Sequence, residues 1–82
     1  MILRTTTDIE TDDASTTVGQ IQDSLTETDY RLSVTNDSVR LYASMDTAAA
    51  SVDADAATMV SELNAVDGVT IVTDDVEAEG AL

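Results

Sequence analysis

YRLSVTNDSVRLYASMD, residues Tyr30 to Asp46, decides the fold. Tyr30, Leu32 and Val34 alternate with Arg31, Ser33 and Thr35, and Val39, Leu41, Ala43 and Met45 alternate with Arg40, Tyr42 and Ser44. A period of two marks strands with one buried face. Between the two runs lie Asn36 and Asp37, residue types that tolerate the positive φ favoured in two-residue hairpin turns. A turn there pairs 34 with 39, 32 with 41 and 30 with 43, all apolar. The same register pairs 33 with 40 and 31 with 42, all polar or amphipathic. A slip of one residue destroys that segregation, so the stretch specifies its own register.

Outward from the hairpin, ILRTTTDIE (2–10) is β-branched and alternates, with Leu3, Thr5, Thr7 and Ile9 on one face. It reads as a first strand. Asp12 or Asp13 can cap a following helix that carries Val18, Ile21 and Leu25. After the hairpin, Val52, Ala56, Met59, Leu63 and Val66 form one apolar stripe of a longer helix. Asp46 or Thr47 is its expected cap, and Gly68 its expected C′ stop. VTIVTDD (69–75) reads as a short closing strand and residues 76–82 as a flexible acidic tail. The order β-α-β-β-α-β predicts one α+β domain over 1–75, a ferredoxin-like sandwich. Its four-stranded antiparallel sheet would carry both helices on one face.

The chain has 82 residues, three basic against seventeen acidic, and a formal charge of −14. Lysine, cysteine, histidine and proline are absent. Acid supplied mostly by Asp, with abundant Thr and Ala and with Arg as the only base, resembles the compositional bias of salt-loving archaea. Near molar salt the Debye length falls to about 3 Å, which screens the self-repulsion such a chain suffers in dilute buffer. There is no apolar run long enough for a membrane span and no apolar signal core in the first ten residues, so a soluble cytoplasmic protein is expected.

The inventory for chemistry is poor. Without His, Cys or Lys the chain lacks the usual general base, thiol nucleophile, Schiff-base amine and best zinc ligands. Gly19, Gly68 and Gly80 are isolated, so no phosphate loop is present. Asp8, Glu10 and Asp12 alternate like the start of a calcium loop. The positions that should then hold Gly and Glu are Asp13 and Gly19. No enzyme activity, cofactor or metal is expected. The scarce residues are more telling. Arg31, Arg40 and Tyr42 point away from the core face, and Arg4 joins them if Leu3 points inward. Arg and Tyr are enriched at the centres of protein interfaces. These four residues are the candidate partner contact, for a protein partner or a second copy of the chain. Weak RNA binding on the open face and ligand sensing between subunits are the alternatives. Direct nucleic-acid binding is disfavoured by the −14 field.

LRTTTDIETDDASTTVGQIQDSL, YRLSVTNDSVRLYASMD and AAASVDADAATMVSEL, with the Ser51–Val52 pair, together resemble the small dimerising subunit of the KEOPS complex, which makes threonylcarbamoyl-adenosine in tRNA. The resemblance covers residues 2–66 as an order of elements. Glu27–Asp29 stands where that family carries Ala-Pro-Asp, and VTIV where it ends in helix. It implies a non-catalytic accessory subunit that dimerises and docks on a catalytic subunit.

The charge reading makes a direct prediction: far-UV circular dichroism and thermal unfolding should show structure and Tm increasing as KCl is raised from millimolar to molar. A Tm independent of salt would remove the screening argument.

Overall fold

The computed structural model describes residues 1–80. Strand β1 (Ile2–Glu10) is followed by α1 (Ala14–Ser24), β2 (Asp29–Val34), β3 (Ser38–Asp46), α2 (Val52–Asn64) and a short β4 (Glu77–Glu79). The strands form one antiparallel sheet in the order β2-β3-β1-β4. This is the α+β, ferredoxin-like arrangement. Alternate residues of β1 and β3 (Leu3, Ile9, Val39, Leu41) meet Ile21 and Leu25 after α1, and Met59 and Leu63 of α2, in one buried cluster. Both helices therefore cover the same face. No helix among the described residues is long and apolar enough to cross a membrane.

The hairpin has the register its alternation dictates: Val34 opposite Val39, Leu32 opposite Leu41, Tyr30 opposite Ala43, Arg31 opposite Tyr42. The turn itself differs from expectation. Neither Asn36 nor Asp37 adopts a positive φ. A side-chain contact and a backbone tether hold it instead. The Thr35 hydroxyl lies 2.8 Å from that of Ser38, and Asp37 O accepts from the Thr11 amide at 3.0 Å. Tethering the turn to the end of β1 replaces the left-handed backbone that an untethered two-residue turn uses.

At α1 the cap is Asp13, which accepts from the Thr16 amide at 3.2 Å and the Thr16 hydroxyl at 2.7 Å. These bonds hold its carboxyl below the usual range. At α2 the expected cap is corrected. Asp46 ends β3, Thr47 donates its amide to Met1 O at 2.9 Å, and a 3-10 turn at Ala49–Ser51 leads into the helix. The helix ends at Asn64, ahead of Gly68. That glycine sits inside a turn closed by the Val69 amide on Val66 O, with φ +87°, and a Cβ there would lie 3.4 Å from Ile9 Cγ2. Its left-handed backbone is one that only glycine adopts freely.

The largest correction concerns the closing strand. VTIV is no strand, and the edge partner of β1 lies in the expected tail: Glu77, Ala78 and Glu79 pair with Arg4, Leu3 and Ile2. The domain thus extends past residue 75, and of the expected tail only Ala81 and Leu82 lie outside the described residues. Parity explains the shift. Val69 and Ile71 are buried. If β4 ran back without a break, its register would place Ile71 opposite Glu10 on the outer face and Asp74 opposite Thr7 on the core face. The 3-10 turn at Thr73–Asp75 reverses that alternation. The side-chain amide of Asn64 meanwhile takes the place of a strand at Ile71, accepting its N–H at 2.8 Å and donating to its C=O at 2.9 Å.

One carboxylate organises the α1–β2 connection. Glu62 of α2 accepts from both the amide and the hydroxyl of Thr26, from the Glu27 amide, and from the amide and hydroxyl of Thr28, at 2.7–3.3 Å. Burial pushes this carboxyl up, but the Thr28 and Thr26 hydroxyls and the Glu27 and Thr28 amides outweigh it and hold it below the usual range. Thr28 is 3% exposed, so its donors cannot turn to water. Glu62→Ala should cost about 1–3 kcal/mol in urea unfolding at high salt. The sign with pH follows from the depressed value. The stabilisation is full above the unfolded carboxylate range, near pH ~4.3, and is lost as pH falls through the lower folded value. The stability gap between wild type and Glu62→Gln should therefore narrow below that range; a gap constant down to pH 3 would contradict the assignment.

Candidate contact face of the sheet

The face of the sheet opposite the helices carries the even residues of β1 and β3 and the odd residues of β2. Register arranges them in rows. Thr6, Tyr42 and Arg31 lie side by side; so do Asp8, Arg40 and Ser33; so do Arg4, Ser44 and Asp29, with Glu77 of β4 beyond Arg4. All four residues singled out from the sequence are on this face, and Tyr30 is on the other. Every cation of the chain is therefore on one side of the sheet.

The three arginines are not equivalent. Arg40 grips Asp8 with both arms of its guanidinium, Nε to Oδ1 at 2.7 Å and Nη2 to Oδ2 at 3.2 Å. The hydrogen bond and charge of each partner hold Asp8 below its usual range and raise Arg40 further. Arg4 reaches across the strands to Glu79, Nη1 to Oε2 at 3.2 Å. Both pairs are about half exposed, so water and salt screen them. Arg31 has no carboxylate within salt-bridge distance among the described residues. Its Cζ lies instead 5.8 Å from the centroid of the Tyr42 ring, within cation–π range. Tyr42 remains 37% exposed.

Among the described residues this leaves one guanidinium able to grip a carboxylate with both arms, backed by an aromatic surface. A shallow depression of about 450 Å³ adjoins it, bounded by Arg4, Thr6, Asp29 and Asp46. No cluster of three or more acidic side chains is placed to share a metal among the described residues. Of the alternating acids Asp8, Glu10 and Asp12, Asp8 is engaged by Arg40. The Asp8–Arg40 pair was invisible in the sequence because it depends on the β1–β3 register, a pairing across 32 residues that neither strand encodes alone. The Glu62 hub was missed for the same reason.

Comparisons with protein-family models, with curated proteins and with solved structures each gave no match. The site therefore stands on its own geometry.

Because the Asp8–Arg40 pair is exposed, Arg40→Gln should lower Tm slightly in dilute buffer and not at all in molar KCl. A loss that persists at molar salt would mean that Arg40 contributes packing rather than charge.

Proposed function

We propose that this chain is a non-catalytic interaction subunit that works at high salt and docks a protein partner on the open face of its sheet, around Arg31 and Tyr42. The observation that carries the proposal is the state of Arg31. In a chain of charge −14, with seventeen acidic residues to three arginines, one guanidinium has no carboxylate partner among the described residues and is laid against an exposed tyrosine. An unpaired Arg beside an aromatic ring is the composition of an interface centre. A protein partner suits it better than nucleic acid. A single exposed aromatic offers little stacking, and the field of the whole chain repels phosphates.

The lack of His, Cys and Lys supports the non-catalytic part of the proposal. The composition supports a halophilic, archaeal source. The order of elements along residues 2–66 supports a finer form, an accessory dimerising subunit of a KEOPS-like tRNA-modification complex.

The test is co-purification in molar KCl from a haloarchaeal extract, with the full chain immobilised. One defined protein should be retained by wild type and lost with Arg31→Ala and with Tyr42→Ala. Equal retention by wild type and both variants, or retention of RNA alone, would contradict the proposal.

A further inference from the structure

β2 is an edge strand. The Thr35 amide bonds Ser38 O at 2.9 Å, and this sets the parity of the hairpin: the odd residues of β2 bond β3, and the even ones present their backbone outward. Tyr30, Leu32 and Val34 thus each offer one N–H and one C=O at the rim, and no group among the described residues bonds them. Their side chains continue the core face, but the cover runs out. Val34 is 52% exposed whereas its neighbour Val39 is at 0%. Three devices that often protect an edge, lysine, proline and a bulge, are missing. There is no lysine or proline in the chain, and the β2–β3 register runs without a bulge. β2 is also electrically neutral, with Asp29 against Arg31, while the opposite edge, β4, carries Glu77 and Glu79.

We propose that β2 pairs antiparallel with β2 of a second copy of this chain, about a two-fold axis at Leu32, to give one continuous eight-stranded sheet. Among the registers in which the outward-facing residues meet, this one joins all of them. Leu32 meets Leu32 of the second copy, and Tyr30 meets Val34 in both directions, so every free rim group is bonded. Shifting the axis to residue 31 sets Arg31 directly against Arg31 of the second copy and leaves Val34 opposite Thr28. Shifting it to residue 33 leaves Tyr30 opposite Asn36. The pairing also completes the contact face, and this consequence rests on the docking proposal above. On the open side, Tyr42 and Arg31 of one copy fall in line with Ser33 and Arg40 of the other. Two adjacent rows at the centre of the dimer then hold Arg31, Arg40 and Tyr42 from both chains. Three cations spread thinly over one sheet become a compact patch shared by two.

Two copies of charge −14 repel, so association should tighten as KCl is raised. Sedimentation velocity of the full chain in molar KCl should show a dimer, and Val34→Lys, at an exposed site, should weaken it by about tenfold or more while leaving circular dichroism unchanged. The chain has no cysteine, which allows a register test that does not depend on affinity. In Leu32→Cys the two Cα atoms on the axis would lie ~5.5 Å apart, within disulfide range. In Val34→Cys they would lie about 14 Å apart along the strand. Oxidation should cross-link the first variant and not the second. A chain monomeric at all salts, or a dimer that ignores Val34→Lys and fails to cross-link at 32, would overturn the proposal. A dimer that passes both tests and retains no partner would leave the pairing standing and remove the docking function.

Discussion

The constraint on which this molecule depends is the alternation of β3. Val39, Leu41, Ala43 and Met45 are buried, and every residue between them faces out. β3 is bonded on both sides, to β1 along nine pairs and to β2 along six. Its parity is therefore imposed on the whole sheet. It decides which residues of β1 meet the helices, which of β2 reach the rim, and that all the arginines share one face. A single-residue slip would exchange the core for the charged surface.

That same period of two explains how much was legible in the sequence. Hairpin register is local: two alternating runs and a two-residue connection leave one pairing that keeps Leu32 with Leu41 and Arg31 with Tyr42. Three of the candidate contact residues, Arg31, Arg40 and Tyr42, followed from it, and Arg4 from the alternation of β1. The closing strand was misread because VTIV has the composition of a strand and lies where one is needed. Val69 and Ile71 are in the core, but their backbone forms no strand. The Asn64 amide satisfies Ile71 from α2, and the 3-10 turn at 73–75 reverses the alternation, so the sheet is completed by three residues that look like tail. Likewise, the Glu62 carboxylate looks from the sequence like one more solvated acid. Only the fold brings it to the amides of Thr26 to Thr28.

Charge and architecture separate cleanly. The helix side and the loops carry acid without a single cation, and hydrogen-bonded carboxylates such as Asp13 and Glu62 each have a structural task. On the open face the acids at Asp8 and Glu79 neutralise two arginines and leave the third, Arg31, beside Tyr42 and next to the free rim of β2. In the proposed assembly the rim and the face are consecutive steps. Strand pairing joins two sheets, and the joined sheet presents the paired rows of Arg and Tyr to a partner.

Backbone amide exchange resolved by residue, at molar KCl and over a range of protein concentration, tests this account most directly. The amides of Arg31 and Ser33, bonded to β3, serve as an internal reference in the folded chain. The account predicts that the amides of Tyr30, Leu32 and Val34 become slow as concentration rises, approaching that reference. Those three amides exchanging at unprotected rates at every concentration, while Arg31 and Ser33 stay protected, would contradict it.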